Sequence, residues 1–391
     1  KVEYLMRKSF LVFGAPLIGD NEINEINDTL RKGWLGTGPK TKQFEQEFAK
    51  YTGSKYAIGL NSCTAGLHLA LDVLGIKKGD EVITSPMTFA STANVIEHVG
   101  AKPVFSDIEI DSQNIDPQKL EKIITKDTKA IIPVHMAGRP CKMDEIMEIA
   151  SKHNIIVIED AAHATEAKLN HKKIGSIAHM ACFSFYVTKN LVTGEGGMLT
   201  TDNAEWADEI RIRSLHGISK DAWKRYSNEG FSPYETLYPG YKYNMTDMQA
   251  SLGIHQLAKL DQSLKVRKKL WYKYNQAFKD CSAIKIPTEE NHIQHARHLY
   301  TILIRLSKLS INRNQFIDEL KKRNIGSGIH FTALHLHKFY KEKYNYKIGN
   351  YPNAEWISNR TISLPLSAAL DSQDIEDVIE AVLDIIELNQ K

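Results

Sequence analysis

Short apolar runs rich in β-branched residues alternate with helix-period patterns from about residue 53 to 215, at spacings of roughly 20 to 30 residues, as repeated strand–helix–strand units require. Val82 to Thr84, Pro103 to Phe105, Ile131 to Val134 and Ile155 to Ile158 read as strands. Between them, Ala93, Ile96, Glu97 and Gly100 close one helix, Leu120 to Ile124 lies in the next, and Met143, Ile146, Met147 and Ala150 stripe a third. Strands so nearly continuous in apolar residues predict a mainly parallel sheet covered on both faces. Ligands of such sheets bind at the carboxyl ends of the strands.

Beyond this region, Asp247 to Leu260 begins a helical stretch that continues through Trp271 and Phe278. A strand at Leu299 to Ile304, a helix through Phe316 and Leu320, strands near Ile325 to Phe331 and at Thr361 to Leu364, and a final helix from Asp374 to Leu388 follow. The division expected is a large α/β domain over residues 1–255, with its N-terminal segment, and a linking helix plus smaller α/β domain over residues 256–391. Ser219 to Tyr241, rich in Tyr, Ser, Gly and Pro, reads as a long ordered or gating loop.

The chain has 391 residues, 42% hydrophobic and 25% charged, an ordinary globular balance. A formal charge of +3, with no basic stripe interleaved with aromatics, argues against nucleic acid as a partner. Lys265, Arg267, Lys268 and Lys269 read as the solvated face of a helix. The four cysteines, Cys63, Cys141, Cys182 and Cys281, show no metal-ligand spacing and suggest free thiols in a cytoplasmic setting; no metal is expected. No apolar run approaches the roughly 20 residues that span a bilayer.

Candidate chemistry gathers at the predicted strand ends. The run Ala181 to Tyr186 leads to Lys189-Asn190 and the turn Gly194-Glu195-Gly196-Gly197, while Ile155 to Ile158 delivers Glu159-Asp160 and then His163. Taken singly, such a lysine is usually a surface charge and such an aspartate a cap. Together they fit pyridoxal 5'-phosphate (PLP), whose aldehyde a lysine holds as a Schiff base and whose pyridine nitrogen an aspartate keeps protonated. The segment Asn61-Ser62-Cys63-Thr64-Ala65-Gly66, after a short strand and at the start of a helix, suits a phosphate at the first-turn amides, although an ordinary N-cap would look the same. It is neither a Walker loop nor a dinucleotide fingerprint.

These motifs carry a resemblance that spans nearly the whole chain. From Gly33-Trp34-Leu35-Gly36-Thr37-Gly38-Pro39 through Asn61-Ser62, Gly79-Asp80-Glu81-Val82-Ile83, Glu159-Asp160-Ala161-Ala162-His163, Lys189-Asn190 and Gly240-Tyr241-Lys242-Tyr243-Asn244 to Ser363-Leu364-Pro365, the sequence resembles the nucleotide-sugar aminotransferases of the DegT, DnrJ and StrS group. Within that group it most resembles the enzymes that form UDP-4-amino-4-deoxy-L-arabinose, through Pro133-Val134-His135, Gly326 to Phe331 and Asn353-Ala354-Glu355-Trp356. The implied fold is that of the fold-type I PLP enzymes: a large domain with a mainly parallel seven-stranded sheet between helices, and a smaller C-terminal α/β domain.

The resemblance also implies roles. Lys189 would bind the cofactor and move the proton, Asp160 would pair with the pyridinium, and His163 would contact the ring or its phenolic oxygen. Thr64 and Ala65 would offer amides to the phosphate, Ser184 a hydroxyl, and Phe89 a stacking ring. Asn244 would reach the phosphate of a neighbouring subunit, so that a homodimer shares its active sites. Trp34, Gly36, Thr37, Tyr186 and His330 would meet the sugar nucleotide. The implied reaction moves the amino group of glutamate to the C4 keto group of a nucleotide-linked sugar, leaving 2-oxoglutarate. Amination at C3 is the alternative. A PLP-dependent dehydratase is disfavoured because relatives of that kind carry histidine where Lys189 stands, and a binding protein of the same fold because Lys189 and Asp160 are both present.

Overall fold

The computed structural model describes residues 7–218 and 235–391. The strand–helix rhythm builds one seven-stranded sheet from β1 (Tyr56–Leu60), β2 (Glu81–Thr84), β3 (Lys102–Phe105), β4 (Thr128–Ile132), β5 (Ile156–Asp160), β6 (Met180–Ser184) and β7 (Gly197–Thr201), in the order β1-β7-β6-β5-β4-β2-β3. Only β7 runs against its neighbours, β1 and β6. The remaining pairs are parallel.

Burial on both faces follows from alternation along each strand. Ile83, Ile131, Val157, Ala181 and Phe183 face a core that includes Phe44 and Phe48 of the helix Pro39–Thr52, Ile146 of Met143–His153 and Ile254 of Asp247–Ala258. Their neighbours Val82, Ala130, Ile132, Ile158, Met180 and Cys182 face a second core with Leu67 and Leu71 of the helix Cys63–Val73, Ile96 of Ala90–His98 and Ile210 of Ala204–Ser214. Two cores separated by one sheet leave its strand ends as the open rim.

A third core fills the C-terminal part. The helix Leu260–Phe278 contributes Trp271, Tyr274 and Phe278, the strands Tyr300–Ile304 and Thr361–Leu364 pair antiparallel, and the helix Ser372–Leu388 adds Val378, Val382 and Ile385. Leu11, near the N-terminus, belongs to this core and bridges Ile325.

Several local expectations change. Residues 325–331 do not form a strand; they hold only single bridges, Ile325 to Leu11 and Gly328 to Ser363, because Gly326 and Gly328 press against Leu11, Phe13 and His330. Leu120 to Ile124 is a short turn of helix, Pro117–Leu120, followed by a 3-10 turn. Arg267 is not solvated but buried, on the same stripe as Leu264, Leu270, Trp271 and Tyr274. The expected loop Ser219 to Tyr241 lies outside the described residues over 219–234. No described helix is long and apolar enough to cross a membrane.

Candidate active site

Strand β5 ends on Asp160, strand β6 feeds the loop that carries Lys189, and strand β1 leads into the helix Cys63–Val73; the three converge on one rim of the sheet. Asp160 is buried, with Thr92 Oγ1 donating to its Oδ2 at 2.7 Å and the Ala162 amide to its Oδ1 at 3.2 Å. Burial pushes its carboxyl up, partly offset by those two bonds and by Lys189 and His135. Lys189 makes no side-chain hydrogen bond among the described residues. Desolvation pulls its ammonium down from 10.5 to about 8, against the attraction of Asp160 and the Cys63 thiol.

His163 packs its ring 4.4 Å from His298 and 6.0 Å from Phe331, stacked on the latter at 17°. Burial, then Lys189, His298 and His330, hold it well below the usual histidine range, and so it is neutral. Its Nδ1 is sealed from solvent with no hydrogen-bond partner among the described residues. A buried polar nitrogen without a partner is costly and marks a place where something else donates or accepts.

His330 reaches the same cleft from the C-terminal part. Its Nδ1 lies 2.8 Å from Ser363 Oγ, its ring stacks on Phe13 at 5.6 Å, and desolvation with Lys189 lowers it to about 4. Phe89, at the start of the helix Ala90–His98, is 64% exposed with its ring 6.3 Å from Phe331. A phenylalanine so open at a cleft wall offers a free aromatic face.

The helix Cys63–Val73 begins where the sequence suggests a phosphate could bind. Ser62 is the N-cap, and its Oγ accepts the Ala65 amide at 3.0 Å, so Ala65 has no amide to spare. The Cys63 and Thr64 amides remain, at the positive end of the helix dipole. Gly197, opposite Ser184 in the β6–β7 ladder, closes the cradle: a Cβ there would stand 2.4 Å from Cys63 N. Ser184 Oγ accepts the Tyr186 amide at 3.4 Å, and Tyr186 itself is exposed.

Trp34, Gly36, Thr37 and Asn244 form a separate cluster. Asn244 Nδ2 donates to Thr37 Oγ1 at 2.7 Å, Thr37 Oγ1 to the Met245 carbonyl at 2.5 Å, Trp34 Nε1 to the Thr37 carbonyl at 3.1 Å, and the Asp247 amide to the Gly36 carbonyl at 2.8 Å. No hydrogen bond or ring contact among the described residues joins this cluster to Lys189, Asp160 or His163. The site also contains Thr92, His298 and Phe331, together with the chain Asn190, Glu166 and Arg267, to none of which the sequence assigns a site role. Among the described residues, no group of His, Cys, Asp and Glu is arranged to hold a metal.

The chain matches the model of the DegT/DnrJ/EryC1/StrS aminotransferase family over residues 16–383. It belongs to that family. SpsC of Bacillus subtilis, a spore coat polysaccharide biosynthesis protein, is 50% identical over 381 residues, 97% of this chain and 98% of SpsC. Spr1654 of Streptococcus pneumoniae, assigned as a sugar aminotransferase and solved in PMP and PLP forms, superposes with a TM-score of 0.90 at 36% identity; the PMP form covers 97% of this chain and 98% of its own. PseC of Helicobacter pylori, an aminotransferase involved in pseudoaminic acid biosynthesis, gives a TM-score of 0.90 at 27% identity, covering 97% of this chain and all of its own. The family member described here is accordingly a PLP-dependent sugar aminotransferase with the fold-type I architecture. The sealed Nδ1 of His163, the open Cys63 and Thr64 amides and the Gly197 cradle fit that cofactor.

Proposed function

We propose that this enzyme transfers the amino group of glutamate to the C4 keto group of a nucleotide-linked sugar, a UDP- or dTDP-4-keto-6-deoxyhexose or a UDP-4-keto-pentose, for a bacterial surface glycan. PLP when bound supplies an electron sink that stabilises negative charge on the carbon losing its proton. The chain's own residues do the rest. Lys189 holds the cofactor and then, with its ammonium drawn down to about 8, is sufficiently neutral near physiological pH to take and return a proton. Asp160, kept in place by Thr92 and the Ala162 amide, would pair with the pyridine nitrogen. The Cys63 and Thr64 amides and Ser184 would hold the phosphate, Phe89 would stack on the ring, and His163 Nδ1 would meet the ring or its phenolic oxygen. The observation that carries this reading is the juxtaposition of Lys189 with Asp160 beside the His163 nitrogen that lacks a partner.

Trp34, Gly36, Thr37, Tyr186 and His330 are assigned to the sugar nucleotide. Because Asn244 and Thr37 are bonded to each other away from Lys189, and Trp34 and Leu35 beside them are exposed apolar groups, they are assigned to the site of a second copy in a cytoplasmic homodimer. The choice of C4 rests on the resemblance of Gly326 to Phe331 and Asn353 to Trp356 to the UDP-4-amino-4-deoxy-L-arabinose enzymes, and the polysaccharide role of SpsC supports a glycan product. A visible absorption spectrum tests the whole: a band that glutamate bleaches and one 4-keto nucleotide sugar restores is expected. Restoration by a 3-keto sugar alone overturns the C4 assignment, and no bindable PLP overturns the reaction. Activity restored by mixing inactive Lys189→Ala and Asn244→Ala subunits is expected for shared sites; no rescue counts against them.

A further inference from the structure

His298 comes into the site through the fold, and its polar partners decide which of its nitrogens carries the proton. Arg267 Nη2 donates to Glu166 Oε1, and both side chains are buried. Asn190 Nδ2 donates to Glu166 Oε2 at 2.9 Å and to the Ala296 carbonyl at 3.0 Å. Both amide protons thus point at groups that can only accept, which fixes the orientation of the Asn190 amide. Its Oδ1 is left 3.2 Å from His298 Nδ1. An amide oxygen accepts and never donates, so Nδ1 must carry a hydrogen, and a neutral imidazole then has its lone pair on Nε2.

That nitrogen meets no donor among the described residues. The ring packs 4.4 Å from that of His163. The groups facing it are Lys189 from the loop after β6, His163 from the turn after β5, His330 from residues 325–331, Arg267 from the helix Leu260–Phe278 and His295 from its own segment. All are cationic or can become so. Burial and these neighbours hold His298 well below the usual histidine range.

We propose that the chain Arg267–Glu166–Asn190 is a positioning device that fixes His298 as the neutral Nδ1–H tautomer, so that the imidazole beside His163 and Lys189 presents a proton-accepting edge and no positive charge. This deepens the site assigned above: a proton-transferring lysine works beside a neighbour that can accept a hydrogen bond without adding a second cation. Neither Asn190 nor Glu166 makes a hydrogen bond to Lys189, Asp160 or His163; they act through His298.

Nitrogen-15 correlation spectra of the histidine-labelled PLP holoenzyme, taken without substrate, test the inference. One imidazole, identified by its loss in His298→Gln, is expected to keep a protonated Nδ1 and an unprotonated Nε2 from pH 6 to 9. In Asn190→Asp, a carboxylate beside Nδ1 favours the doubly protonated ring, so its titration should move upward into or beyond the neutral range. Bleaching of the cofactor band by glutamate should then slow about tenfold one pH unit below the new midpoint and recover above it. In Asn190→Ala, which adds no charge, the pure tautomer should give way to a mixture. A wild-type His298 that titrates near 6.5 or carries its proton on Nε2 overturns the proposal, as does an unchanged tautomer in Asn190→Ala. Because the spectra are recorded without any sugar, they fail or succeed separately from the substrate assignment.

Discussion

Replacing Lys189 with methionine should stabilise the cofactor-free protein at neutral pH. Lys189 is only partly exposed, and desolvation brings its ammonium down from 10.5 to about 8, even with Asp160 and Cys63 favouring the charge. Between those two values the unfolded chain binds more protons than the folded one, and so stability rises with pH across that window. Below about pH 8 the full cost of burying the ammonium is present, about 3 kcal/mol at 1.36 kcal/mol per pH unit. Methionine keeps the length of the side chain without the charge. Asp160 loses a favourable neighbour in the exchange, which leaves a net gain of about 1 to 3 kcal/mol. Urea unfolding of stripped wild-type and Lys189→Met proteins at pH 7 and pH 9.5 measures it: the variant should be more stable at pH 7, with a smaller advantage at pH 9.5. A variant less stable than wild type by the same amount at both pH values would refute the reasoning, since it would show that the folded protein does not penalise the Lys189 charge.

Thr92→Val removes the hydrogen bond to Asp160 Oδ2 and should raise that carboxyl further, costing about 1.5 to 3 kcal/mol while it is ionised. Because the folded value already lies above the unfolded one, the deficit appears as pH rises through the folded value and is lost when the carboxyl is protonated; melting curves at pH 4 and pH 7 should differ accordingly, and an equal deficit at both would count against the assignment. Gly197→Ala places a methyl group 2.4 Å from Cys63 N, an overpacking of about 1 to 3 kcal/mol that the helix start can relieve only by moving off the strand. PLP titration followed by absorbance should show affinity weakened by about tenfold or more, and unchanged affinity would remove the cradle from the phosphate site.

The parts of the site visible in the sequence are those held by local patterns. Asp160, His163 and Lys189 follow apolar strands directly, and Ser62 stands where an N-cap must, so position along the chain implies position on the rim. The cap that makes the helix start legible also engages the Ala65 amide, through Ser62 Oγ. What the sequence hid was set by contacts across long separations. Arg267 sits among lysines and reads as solvated, yet Leu264, Leu270, Trp271 and Tyr274 place it on the buried stripe of its helix, and that spacing was the available signal. His298 lies 108 residues from Asn190, and nothing in its neighbourhood marks the pairing. Residues 325–331 looked like a strand because apolar and β-branched residues occur there, but glycines at 326 and 328 bring the backbone too close to Leu11 and His330 for a regular ladder.

Because β7 runs back between β1 and β6, Lys189 hangs from a hairpin whose two arms are both interior to the sheet. Its height above the rim is then locked to strand register, where a slip of one residue would turn every side chain to the opposite face. His330 is held differently: its own segment lies outside any strand, and its ring rests on Phe13 and bonds Ser363 of the strand Thr361–Leu364. Exchanges around Phe13 and His330 can reshape that wall of the cleft while the hairpin keeps Lys189 where it is.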